Sequence, residues 1–453
     1  MARDGKAIDR ERLKSLRQRE DRLFAERTPK SRDLYARGGK LMPHGVPQAW
    51  MASFYPETPI YVSEGSGACF TDVDGNRYLD MSQCDLSMSC GYGPPAIADA
   101  VAARFRKGSH FLLPTEDALV VCRLLAERFG LPFWQFTLSA SGANTEAIRL
   151  SRLATGRDRV LIFSGKYHGH IDETLVHATK EGVAPDSLGL PKSVVDRAIV
   201  VPFNNLAALD AALSSQEIAC VVAEPAMTNM GVILPDEGFQ AELRRLTRRH
   251  GTLLVIDETH TQVALFGGFT RLWKLEPDIL TIGKSLGGGI PIGAYGLNER
   301  LAKLMEAHLE LQMEGAPGLA VGGTTYGNAL GLAAARAALE LVLTPDGYER
   351  VRGLGARLAD GIDRLVTERK LPWCAYRLGN RSGICLRPAW PRNADESLEI
   401  IDLDFCHAAR VFMANRGIWE PISIHGPSVS FAHEAADVDR YLGATAEFID
   451  AVT

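Results

Sequence analysis

From about residue 95 onward, short, mainly apolar runs alternate with stretches of helical periodicity. The runs are Trp134–Leu138, Val160–Phe163, Ala198–Val201, Ala219–Ala223, Leu253–Ile256 and Ile279–Ile282. Continuous runs dominated by apolar residues suit strands buried on both faces, as in a parallel sheet covered by helices. Phe239–His250, FQAELRRLTRRH, is an amphipathic stretch of crossover length placed directly before one such run. Together these features predict a large, doubly wound, mainly parallel α/β domain over residues 95–328.

The flanks read differently. Residues 6–38 predict one or two polar helices with a thin apolar stripe of Leu13, Leu16, Leu23 and Phe24, expected to lie on another surface, including that of a partner subunit. A Pro/Gly-punctuated stretch, Met42 to Pro59, follows. Short strands are expected at Tyr61-Val62, Ala68–Thr71 and Arg77–Leu79, with a hairpin-type turn at Asp74-Gly75. Beyond residue 328 an alanine-rich helix, Ala329–Val342, precedes a second helix, Val351–Glu368. Short strands are expected near Gly383–Arg387 and Ser428–Ala432. Residues 329–453 thus read as a smaller α+β domain, to which the N-terminal segment 1–94 adds helical and β pieces.

Composition narrows the function classes. Among 453 residues, 46% are hydrophobic and 23% charged, as in a soluble globular protein. The formal net charge of −5 gives no electrostatic footprint for nucleic acid. The eight cysteines form no CxxC pair, so neither a zinc site nor a disulfide framework is indicated. The N-terminal stretch is charged throughout and lacks an apolar signal region, and no apolar run approaches membrane-spanning length. A cytoplasmic enzyme is expected, without membrane or metal.

In open α/β sheets, ligands sit at the carboxyl ends of the strands. Reading past each apolar run gives Ser139-Ala140-Ser141-Gly142 opening a helix, the segment Ser164–His170 with Tyr167 and His168, then Glu224-Pro225, Asp257-Glu258, and Gly283-Lys284 before three glycines. A lysine directly after a buried strand is desolvated, and a desolvated amine is a nucleophile suited to Schiff-base chemistry. Small residues at a helix start suit a phosphate, through backbone N–H groups and the helix dipole.

The ordered set TDVDGNRYLD (71–80), GKYHGH (165–170), AEP (223–225), IDE (256–258), IGKSLGGGIPIG (282–293), GTTYGN (323–328) and SFAH (430–433) resembles the class III pyridoxal-5′-phosphate (PLP) aminotransferases. The likeness runs from about Lys40 to the C-terminus and is strongest to glutamate-1-semialdehyde aminomutase and the β-amino-acid transaminases. Asp257 and Lys284 lie 27 positions apart, which suits one strand-to-strand crossover in that family. The resemblance implies the fold-type I architecture and a homodimer with shared sites. It also implies an aminotransferase moving an amino group between an amine or non-standard amino acid and a keto acid or aldehyde. An aminomutase, or a racemase or epimerase, is the alternative on the same scaffold.

The resemblance also implies roles. Lys284 would hold the cofactor and shuttle the proton, Asp257 would pair with the pyridine nitrogen, and Tyr167 would stack on the ring. Ser139, Ala140, Ser141 and Gly142 would hold the phosphate, joined by Thr324 of the other subunit. His168, Glu224 and Thr259 would line the cofactor, and His260 would reach the cofactor's O3′ or the substrate. The substrate side departs from the family pattern. The segment Pro43–Met51, with Gln48 and Trp50, holds no arginine, an acid stands at Asp85 where the pattern has an aromatic, and the aminomutase gating region reads His177–Gly182. Gln48, Trp50, Asp85 and His260 are the substrate-side candidates, with Arg377 and Arg381 as other carboxylate anchors.

Overall fold

A computed structural model describes residues 8–53, 59–308, 318–421 and 426–453. Residues 54–58 of the Met42–Pro59 stretch and the first two of the expected N-terminal helix therefore lie outside the described residues. The chain divides into two compact units, one of Met1–Pro94, Arg350–Trp390 and Ile400–Thr453, the other of Pro95–Glu349 and Pro391–Glu399. The alanine-rich helix, Ala329–Leu341, stays with the second unit, so the change of unit comes at Arg350 and not at residue 329. Its small side chains let it pack closely on the helix Pro95–Arg106 of the same unit.

In the first unit, helix Arg10–Arg27 starts on Asp9, whose carboxylate accepts from the backbone N–H of Glu11 and Arg12. It buries Leu13, Leu16 and Phe24, while Leu23 is exposed. Its partners are helices of its own unit, Leu403–Asn415 and Ala435–Val452. Strands Val62–Ser66, Cys69–Asp72 and Arg77–Asp80 form an antiparallel meander, and the short strand Ile418–Trp419 adds in parallel. Phe70 stacks on Tyr78, and Trp419 meets both rings edge-on. A hairpin pairs Cys374–Leu378 with Arg381–Cys385. The strand expected at Ser428–Ala432 is instead a single bridge between Arg381 and Ser428. Its N–H groups go to separate loops, Ser428 to Met81 and Phe431 to Ser89, so no ladder forms.

The second unit is built on a seven-stranded sheet. Its order is Phe133–Thr137, Gly293–Leu297, Ile279–Ile282, Leu253–Asp257, Ile218–Ala223, Arg159–Phe163, Ala198–Val201. Every pair in the run from Ile279–Ile282 to Ala198–Val201 is parallel, and Gly293–Leu297 is antiparallel to both neighbours. All six apolar runs are strands, and their carboxyl ends lie on one edge. The seventh, GAYGL, escapes a hydrophobicity reading because two of its five residues are glycine. Those glycines are needed for space. A Cβ on Gly293 would lie 2.4 Å from the Ser139 carbonyl, and one on Gly296 would lie 2.8 Å from the Trp134 ring. Gly293→Ala is therefore expected to destabilise the fold by about 1–3 kcal/mol, read as a lowered thermal midpoint. An unchanged midpoint would show that the strand end carrying Ser139 yields freely.

Candidate active site

The strand Ile279–Ile282 ends at Gly283, and the chain turns at once into Lys284. Gly283 is small by necessity, since a Cβ there would stand 2.8 Å from the Ala140 nitrogen. The Gly283 carbonyl accepts from Gln262 Nε2 at 2.7 Å, which fixes the turn. Lys284 itself has φ 49°, a left-handed backbone in a residue other than glycine. Such strain persists only where its surroundings impose it, and it concentrates at functional sites. The lysine is half-buried, and its Nζ lies 2.7 Å from His260 Nε2.

His260 continues inward. Its Nδ1 is 2.7 Å from Thr228 Oγ1, and Thr228 donates its hydroxyl to Glu224 Oε2 at 2.5 Å. Glu224 is buried at the end of its strand, and burial pushes its carboxyl up to about 7. The His168 ring and the Thr228 hydroxyl pull the other way without overcoming that burial.

Asp257, at the next strand end, has the opposite fate. Burial raises its carboxyl, but hydrogen bonds win and hold it down at about 2. His168 Nδ1 lies 2.9 Å from Oδ2, Asn144 Nδ2 donates to the same oxygen at 2.9 Å, and the Thr259 N–H donates to Oδ1 at 3.0 Å. With the carboxylate ionised, His168 must carry its proton on Nδ1.

Asn144 was not among the residues singled out from sequence. It lies fully buried in the first turns of helix Ala140–Thr155, and also donates to the His168 carbonyl and accepts from Thr281 Oγ1. One side chain thus ties this helix to three strand ends. Its signal in the sequence is a lone amide on the helix face that also carries Ala143, Ala147 and Ile148. Asn144→Ala is expected to cost about 1–3 kcal/mol, because buried partners are left unpaired. It should also raise the pH of acid unfolding. Asp257 is held below its ordinary value of 3.8, so its contribution exists above that value and is lost as pH falls toward about 2. Removing one of the bonds that hold it down narrows that window. An acid-unfolding midpoint unchanged from wild type would contradict this.

The helix start carries the loop expected to hold a phosphate. Ser139 caps it by accepting from the Gly142 N–H at 3.2 Å, and Ser141 Oγ accepts from the His170 N–H at 3.0 Å. Gly142 faces the Tyr326 hydroxyl, 2.9 Å from where a Cβ would be. Tyr167 is half-buried on the loop that also carries His168, and Thr324 is exposed.

The structure therefore groups Lys284, His260, Glu224, Asp257, His168, Thr259 and Ser139–Gly142 at the carboxyl ends of one sheet. The remaining substrate-side candidates, Gln48, Trp50 and Asp85, belong to the other unit, where all three are exposed. Asp85 lies in a turn in which Gln83, Cys84, Asp85 and Leu86 all have positive φ. Asp80 anchors that turn by accepting from the Ser82 and Gln83 N–H groups. Arg377 is engaged by Asp360 and Asp363. The His177–Gly182 stretch is part of a hairpin, with His177 paired to Asp186.

The family model "Aminotransferase class-III" matches residues 50–383. This chain belongs to the class-III aminotransferase family. A relative named glutamate-1-semialdehyde 2,1-aminomutase, from Chloroflexus aggregans, is 35% identical over 94% of this chain and 98% of its own. A crystal structure of a glutamate-1-semialdehyde-aminomutase from Pseudomonas aeruginosa PAO1, a lysine-to-alanine variant in complex with PMP, is 36% identical. It superposes with TM-score 0.93 over 99% of this chain and all of that one. An ω-transaminase from Sphaerobacter thermophilus is 27% identical, with TM-score 0.85 over 93% of this chain and 97% of its own.

The fold is therefore that of the fold-type I class-III enzymes, and the cofactor is PLP. The residues fit it. His168 Nε2 and Thr259 Oγ1 are buried polar atoms without a hydrogen-bond partner among the described residues. An ionised carboxylate, an amine and a helix N-terminus stand at the same sheet edge, matching a pyridinium nitrogen, an aldehyde and a phosphate.

Proposed function

We propose that this class-III enzyme moves an amino group within one substrate, from carbon 2 to carbon 1 of a small amino aldehyde, as its aminomutase-named relatives are named for doing. What carries the reading is identity of 33–36% to proteins of that name over nearly the whole chain, against 27% to the ω-transaminase. Bound PLP supplies an aldehyde carbon and a ring that accepts electrons. Asp257 would hold its negative charge against the ring nitrogen, and Tyr167 would stack on the ring. Ser139, Ala140, Ser141 and Gly142 bind the phosphate, with Thr324 contributed by a second copy of the chain. Lys284 Nζ takes the proton from the substrate carbon bearing the amine and returns it.

A second reading, transfer between two molecules, has its own support. The segment 43–51, where relatives acting on amino acids often carry an arginine, holds none to grip a carboxylate.

The two are separated by giving the holoenzyme glutamate-1-semialdehyde with no added amine or keto acid. Intramolecular transfer turns over many equivalents. Transfer between molecules stops after one equivalent, with the cofactor in its amine form, until a keto acid is added. The second result would overturn the first reading.

A further inference from the structure

Lys284, His260, Thr228 and Glu224 form one unbroken line, with steps of 2.7, 2.7 and 2.5 Å. They come from three separate strand ends, and the last three are buried. Each interior member can both give and take a proton along the line. A histidine does so through its two nitrogens and a threonine through its one oxygen.

Two arrangements of protons fit the three contacts of this line. In the first, Glu224 is a carboxylate and accepts from Thr228, Thr228 accepts from His260 Nδ1–H, and His260 Nε2 accepts from the Lys284 ammonium. In the second, Glu224 is a carboxylic acid donating to Thr228, Thr228 donates to His260 Nδ1, and His260 Nε2–H donates to a neutral Lys284 amine. Three hops connect them: Nζ to Nε2, Nδ1 to Oγ1 and Oγ1 to Oε2. The net change is one proton moved from Lys284 to Glu224, and His260 and Thr228 end neutral with their donor directions reversed.

We propose that Glu224, Thr228 and His260 are a proton wire that draws the proton from Lys284 and stores it on Glu224, so that Lys284 works as a neutral amine. An ordinary lysine is protonated near neutral pH and cannot act as a base. The neutral arrangement removes a charged pair from a buried place, where uncompensated charge is costly. The titratable neighbours of Glu224 are His168, which acts in favour of its carboxylate, and Asp257, whose negative charge favours the acid. Burial has already brought the Glu224 carboxyl close to neutrality. His260 and Thr228 are positioning residues here, acting through Lys284. The inference rests on Lys284 being the working amine, but not on whether the amino group moves within or between molecules.

The test uses the holoenzyme loaded with PMP, in which the lysine is not bonded to the cofactor. Cyanate, a small reagent for neutral amines, is added near neutral pH. Carbamylation of Lys284 is followed by peptide mass spectrometry against the exposed Lys192 and Lys303 in the same sample. Thr228→Val keeps the size but breaks the line, and Glu224→Gln removes the proton store. Each is expected to slow Lys284 modification roughly tenfold relative to the two reference lysines, and Thr228→Ser should restore the wild-type rate. Wild-type modification rates in folded Thr228→Val or Glu224→Gln would overturn the wire. So would a Thr228→Val whose only effect is on the cofactor's absorption band, because His260 would then serve the cofactor and not the lysine. Because the readout is lysine reactivity and not turnover, it stands apart from the outcome of the substrate experiment.

Discussion

Lys284→Ala is expected to abolish turnover while leaving the fold intact. The side chain is half-buried with its amine pointed at His260, so truncation opens space in a pocket and not in a packed core. The backbone strain at φ 49° is shared by lysine and alanine, so the substitution neither relieves nor adds to it. What disappears is the group proposed to move protons at the substrate carbon. Positioned general bases contribute roughly 10²–10⁴-fold, and the loss here should be at the upper end because the same nitrogen is also proposed to hold the cofactor. Steady-state assay together with far-UV circular dichroism checks this. Turnover like wild type in a folded Lys284→Ala would remove Lys284 from the chemistry.

Asp257→Asn ranks next. The amide has nearly the shape of the carboxylate, but it carries no charge. Half of its hydrogen-bonding capacity is also of the wrong kind, because His168 Nδ1, Asn144 Nδ2 and the Thr259 N–H all point donors at this side chain. The wild-type carboxylate is ionised at any working pH, since those bonds hold it at about 2 despite burial. It can therefore keep a pyridine nitrogen protonated, and an uncharged amide cannot. Loss of such an aimed electrostatic partner is expected to cost roughly 10²–10³-fold in kcat. The acid limb of the wild-type pH profile should not reach down to Asp257's value. A profile in Asp257→Asn matching wild type in height would show that the ring nitrogen is served by another group.

Much of this organisation is legible in the chain. The buried strands announce themselves because a strand covered on both faces has no polar positions to interrupt it. Strand ends place the chemistry, because a parallel sheet delivers every carboxyl end to one edge. Lys284 and Asp257 could be found for that reason. The antiparallel strand Gly293–Leu297 could not, since its composition answers to close contact with Ser139 and Trp134 and not to burial of bulky side chains. Thr228 and Asn144 are hidden for a different reason. Their importance lies in what they touch across sequence separations of 32 and 113 residues, and neither residue type is unusual where it stands. His260 was visible as a departure in the IDE segment. Its neighbours Lys284 and Thr228, on two other strand ends, could not be read from the sequence. Substrate identity is the least legible part, since it depends on pocket shape and not on the cofactor motifs.

The most direct test is to reduce the PLP-loaded protein with borohydride, digest it, and find which peptide carries the cofactor. The pocket described here requires the label on the peptide containing Lys284, at one equivalent per chain, and its loss in Lys284→Ala. A label on Lys166 or any other lysine, or no covalent label on a protein that binds PLP, would contradict it.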